Sequence, residues 1–76
     1  MVGLITERTQ ELVAGSSWKT TDYFWLYTDS PEMPRLLLPV SDFPLETRSV
    51  GDQVELRYVN VGGGRRYLPF RLEREA

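Results

Sequence analysis

Six consecutive residues, YFWLYT at positions 23–28, restrict the fold more than any other stretch of the chain. Five of the six are aromatic or aliphatic, and side chains of this kind favour extended backbone. Successive side chains of a strand point to opposite faces. Tyr23, Trp25 and Tyr27 therefore share one face, and Phe24 and Leu26 share the other. An ordinary half-buried strand is apolar on one face, whereas a strand apolar on both needs cover on both. A chain of 76 residues buries only about 60% of the surface its unfolded form exposes and supports one thin core. One face of this strand belongs to that core. Phe24 and Leu26 are the better core pair, because tyrosine hydroxyls require polar company. Tyr23, Trp25 and Tyr27 must then meet a loop, another subunit or a ligand. In the next strand, RLLLPV at 35–40, Leu36, Leu38 and Val40 alternate with Arg35, Leu37 and Pro39. Leu37 extends the outer apolar surface beside the aromatics.

The remaining elements read as short strands as well. Residues 2–6 form a first strand, which can resume over 11–13. Its register is ambiguous, because Val2 and Leu4 alternate against Ile5 on the other parity. Ala14-Gly15-Ser16-Ser17 is a break, and Asp29-Ser30-Pro31 is a turn. Residues 41–49 are a connection broken by Pro44, with room for one helical turn over 44–47. In QVELRYV, at 53–59, Val54, Leu56 and Tyr58 alternate with Gln53, Glu55 and Arg57, the mark of a half-buried strand. Gly62-Gly63-Gly64 is a permissive hairpin turn. Residues 65–73 are its partner strand, with Leu68, Phe70 and Leu72 expected inward and Tyr67, Pro69, Arg71 and Glu73 outward. Pro39 and Pro69 cannot donate to a ladder and mark edges or bulges. The expected fold is all-β: residues 1–76 as a single domain, a small five-stranded antiparallel barrel that limits exposed edges.

Composition excludes several chemistries. With no cysteine there is no disulfide or thiol chemistry, and with no histidine the commonest neutral-pH acid–base and transition-metal ligand is missing. Five serines therefore lack an imidazole to activate them, and Lys19, the single lysine, would serve as a base only if desolvated. No carboxylates have calcium-loop spacing. The triple glycine followed by Arg65 and Arg66 lacks phosphate-loop spacing, and no helix follows it. The expectation is a non-enzymatic protein without cofactor or metal. No run is apolar enough to span a membrane and no signal peptide is evident, so a cytoplasmic location is expected.

The net charge of -2 is unlike the basic balance of most nucleic-acid-binding domains. Its distribution is uneven. Residues 1–55 hold four basic and nine acidic side chains, net -5, while residues 56–76 hold five arginines and two glutamates, net +3. The arginines form either a local basic patch or ordinary solvated edge positions.

The stretch LLLPVSDFP, a short link, and then GDQVELRYVN with GGRRYLPF resembles the second half of S1-like OB-fold domains, over residues 36–72. The Gly51-Asp52-x-Val54-x-Leu56 core of the match is common to many small barrels, and an SH3-like barrel is the alternative topology. The resemblance implies an OB-like barrel binding single-stranded RNA on the face of its second and third strands, with Tyr23, Phe24 and Trp25 in the place of the family's aromatics. The first half departs from the family in lacking a glycine-rich approach to the aromatic strand, and Asp22 and Asp29 flank it.

Two functions follow. In the first, Tyr23, Trp25, Tyr27 and Leu37 form a protein–protein interface, for self-association or for docking into a larger assembly. In the second, the same aromatics stack on single-stranded nucleic acid, RNA rather than DNA, while Arg35, Arg57, Arg65, Arg66 and Arg71 contact phosphates. The second requires arginines and aromatics on one face.

Overall fold

The computed structural model describes residues 1–73. Five antiparallel strands form one sheet: β1 (Val2–Leu12), β2 (Thr20–Thr28), β3 (Arg35–Pro39), β4 (Gln53–Val61) and β5 (Gly64–Arg71). Their order across the sheet is β3-β2-β1-β4-β5. The first three strands form a meander, and the chain then returns through residues 40–52 to lay β4 beside β1. That is a Greek-key arrangement. The all-β expectation and the five antiparallel strands hold. The closed barrel does not: among the described residues β3 and β5 remain separate edges. β1 and β4 pair only over Val2–Leu4 and Gln53–Glu55. Beyond that short seam, the β1–β2 and β4–β5 hairpins run in opposite directions. The molecule measures 46 × 29 × 24 Å with a radius of gyration of 13.2 Å, against about 11 Å for a compact domain of this length.

The inner face of the sheet carries the core. Ile5, Phe24, Leu26, Leu38, Val54 and Leu56 are buried there, joined by Val40 and Phe43 from the connection. That connection holds two single 3-10 turns, Val40–Asp42 and Leu45–Thr47, the second within the span where one turn was expected. It folds across the inner face and acts as the second layer. Phe43 meets Phe24 edge-on, with ring centroids 5.0 Å apart. Arg48 fixes the crossing, its Nε and Nη2 donating to the Phe43 carbonyl at 3.1 and 2.9 Å. Gly3 sits where the sheet is tightest. A Cβ there would lie 2.9 Å from both Leu26 Cδ2 and Leu56 Cδ1.

Two local features differ from the sequence expectation. β1 is one continuous strand with a bulge between Ile5 and Glu7. The extra residue switches the inward parity from Gly3 and Ile5 to Arg8, Gln10 and Leu12, while Leu4, opposite Tyr27, lies on the outer face ahead of the bulge. β5 has the opposite parity to that expected. Leu56 pairs with Pro69 and Tyr58 with Tyr67, so Pro69 is buried and Tyr67 packs against the core. Leu68 and Phe70 lie on the outer face. Gly62 and Gly63 form the two-residue turn, with φ of 56° and 83°, as a type I′ hairpin requires.

Candidate interaction face

On β2 the alternation places Tyr23, Trp25 and Tyr27 on the outer face, as the sequence requires once Phe24 and Leu26 are buried. Cross-strand register adds the neighbours. On β3, Pro39 lies opposite Tyr23, Leu37 opposite Trp25 and Arg35 opposite Tyr27. On β1, Thr9, Glu7 and Leu4 lie opposite the same three aromatics. The four apolar residues expected at an interface, Tyr23, Trp25, Tyr27 and Leu37, are thus contiguous. Among the described residues no second layer covers this face. The connection packs on the inner face, and the β1–β2 turn projects away at the far end of its hairpin. Tyr27 is 53% exposed, and Tyr23, Trp25 and Leu37 are half-buried.

The five arginines are dispersed. Arg35 alone joins the aromatics, its Cζ 4.6 Å from the Trp25 ring centroid and 5.7 Å from that of Tyr27. This is cation–π distance. Arg57 lies on the outer side of the β4–β5 hairpin, separated from β2 by β1. It stacks on Phe70 at 4.6 Å and grips Glu55 with two hydrogen bonds of 2.9 and 3.3 Å. Those bonds hold the Glu55 carboxyl below the usual carboxylate range and raise the Arg57 guanidinium further. Arg65 stacks on Tyr58 at 4.9 Å, on the opposite side of that hairpin. Arg66 pairs with Asp42 at 3.1 Å, and Arg71 lies 4.0 Å from Glu46. The chain matches no family model, no curated protein and no solved structure.

Arg8 hydrogen-bonds Asp22 across β1 and β2, and with Gln10 this bond holds the Asp22 carboxyl below its ordinary range. Lys19 is exposed at the hairpin turn, 5.2 Å from the Trp18 ring. One surface depression lies away from the aromatic face. Polar residues Glu46, Thr47, Asp52, Gln53 and Arg71 line it.

Three features were not singled out in the sequence. Trp18 is 75% exposed beside exposed Leu12 and Val13 at the end of the β1–β2 hairpin. Arg8 stacks 5.8 Å from the Phe24 ring. Phe43 enters the core from an irregular segment. The bulge conceals the second, because the true inward parity of β1 beyond Ile5 is readable only once the extra residue is known.

Proposed function

We propose that this chain is a non-enzymatic protein-interaction or assembly module whose contact surface is the outer face built from Tyr23, Trp25, Tyr27 and Leu37. The observation that carries the reading is the continuity of that strip across β2 and β3, with no covering layer among the described residues. Aromatic side chains supply large contact area and are enriched at such contacts. Arg35, stacked on Trp25 and Tyr27, adds an amphipathic rim that desolvates more readily than an ammonium.

Single-stranded nucleic-acid binding is the second reading. The Greek-key order, the resemblance to OB-like domains, and an arginine over an exposed tryptophan favour it. The charge arrangement ranks it below protein binding. Phosphate contacts dominate such binding, yet Arg57, Arg66 and Arg71 already face carboxylates and Arg65 lies on another side.

Two variants separate the readings in size-exclusion of the chain mixed with an extract of its source cells, with and without nuclease. Protein binding predicts complexes that survive nuclease, are lost in Trp25→Ala and persist in the Arg65→Ala/Arg66→Ala double variant. Complexes that vanish with nuclease or with the arginine pair would overturn it.

A further inference from the structure

The free edge of β3 has a hydrogen-bonding pattern that fits itself. In an antiparallel ladder, residues directing their N–H and C=O to one side alternate with residues directing them to the other. On β2, the Thr6 hydroxyl donates to the Trp25 carbonyl from the β1 side at 3.2 Å. The Thr28 amide donates to the Pro34 carbonyl on the β3 side at 2.9 Å. Trp25 therefore turns its backbone groups to β1, whereas Phe24, Leu26 and Thr28 turn theirs to β3. Leu36 and Leu38, opposite Leu26 and Phe24, complete that ladder. Arg35, Leu37 and Pro39 direct theirs out of the sheet, where the hydrogen bonds of the described residues leave them unpaired.

We propose that this edge pairs with the same edge of a second copy of the chain, β3 against β3 and antiparallel, about a two-fold axis through Leu37. Leu37 then exchanges both backbone bonds with Leu37 of the second copy, and each Arg35 amide donates to the Pro39 carbonyl of the other chain. Pro39 has no N–H, but in this register its carbonyl is the group needed. Charge selects the register. Centring the pair on Leu36 would bring the two Arg35 side chains to the diagonal spacing of about 7–8 Å. Centring on Leu37 sets them about 13 Å apart along the strands. It also places Leu37 against Leu37 on the outer face and half-buried Leu36 against Leu38 on the inner face, so both apolar surfaces continue across the seam. The two aromatic strips become one surface.

The opposite edge of the sheet is blocked from the same pairing. The Leu56 amide donates to the Met1 carbonyl at 2.6 Å, so Pro69, opposite Leu56, turns its missing donor to the middle of the free edge of β5. Arg65 and Arg71 flank it on that edge. A proline and like charges are devices that protect an edge strand. On β3 the proline stands at the end, and one arginine is present.

A five-residue strand buries far less than the roughly 800 Å² per partner of a stable complex, so the dimer is weak and concentration-dependent. The pairing goes beyond the interaction face, because backbone rather than aromatic side chains makes it. The test is sedimentation equilibrium with amide exchange by NMR on the full chain, from about 10 μM to about 1 mM. Dimer content should rise with concentration. Exchange at the Arg35 and Leu37 amides should slow by about tenfold or more as dimer accumulates, while Leu36 and Leu38 stay protected throughout. Leu37→Lys sets two ammonium groups directly opposite each other at a half-buried position, and should leave a folded monomer. Trp25→Ala should still dimerise. A wild-type monomer at the highest concentration, or a dimer with unchanged Arg35 and Leu37 exchange, overturns the pairing. Association lost in Trp25→Ala, with exchange at the Arg35 and Leu37 amides unchanged by concentration in the wild type, also overturns it and assigns the contact to the aromatic face, so the two readings fail separately.

Discussion

Phe24 and Trp25 are adjacent in the chain and face opposite environments. Phe24 is 1% exposed and meets Phe43 edge-on, whereas Trp25 lies on the outer face under Arg35. Replacing Phe24 by alanine removes a buried ring and leaves a cavity, so urea unfolding should show a loss of about 3–5 kcal/mol. In a domain this small that is a large share of the total stability. A near-neutral Phe24→Ala would refute the assignment of the inner face. The Arg8–Asp22 pair makes a different prediction. Arg8 depresses the Asp22 carboxyl in the folded chain, so the stabilisation it gives is present above the ordinary carboxylate pKa of about 4. It is lost as pH falls through the depressed folded value. A carbon-13 titration should show Asp22 protonating below the ordinary carboxylate range, and shifting up toward that range in Arg8→Ala, where only the Gln10 hydrogen bond remains. Both groups are substantially exposed, so added salt should shrink the difference.

Strands differ in how much of their placement the residues reveal. β2 and β4 are legible because their alternation is uninterrupted: Phe24, Leu26, Val54 and Leu56 are all in the core. β5 is not, because apolar side chains on Leu68, Phe70 and Leu72 suggest a stronger face than Tyr67 and Pro69. Its face is set by the turn instead. Three consecutive glycines permit several registers, and a slip of one residue exchanges the two faces. The choice of Gly62-Gly63 as the turn pairs Pro69 with Leu56 and buries it. Phe43 escapes notice for a related reason, since an irregular connection has no period to read. The outer strip of Tyr23, Trp25, Tyr27 and Leu37 is legible from parity alone. The dispersal of the arginines is not, because Arg65, Arg66 and Arg71 depend on the turn and on where Asp42 and Glu46 fall. Pro69 yields a prediction at this scale. Pro69→Val restores the missing amide to the β5 edge, so light scattering should show added association that Leu37→Lys does not suppress. Unchanged scattering would mean that Pro69 does not guard that edge.

At the scale of the molecule, an open Greek-key sheet has two faces and one covering layer. The connection between β3 and β4 covers the inner face with Val40, Phe43 and the turn at Thr47, and it can cover only one face. Among the described residues no second layer lies over the outer face, and the aromatic strip stays open there. Separate edges follow from the same economy of length: β3 is five residues long, and the β1–β4 seam is too short to hold the two hairpins side by side. None of the described helical turns is long or apolar enough to cross a membrane, and the exposed aromatic surface is a strand face. The central claim is that this face contacts protein. The most direct measurement follows Trp25 emission in a Trp18→Phe background, titrated with mixed-sequence single-stranded RNA and DNA at low and high salt. Trp18 must be removed because its exposed ring at the hairpin end would report contacts unrelated to the face. The account predicts an unchanged Trp25 signal up to micromolar oligonucleotide at low salt. Saturable quenching that weakens as salt is raised would contradict it and make the face a nucleic-acid platform.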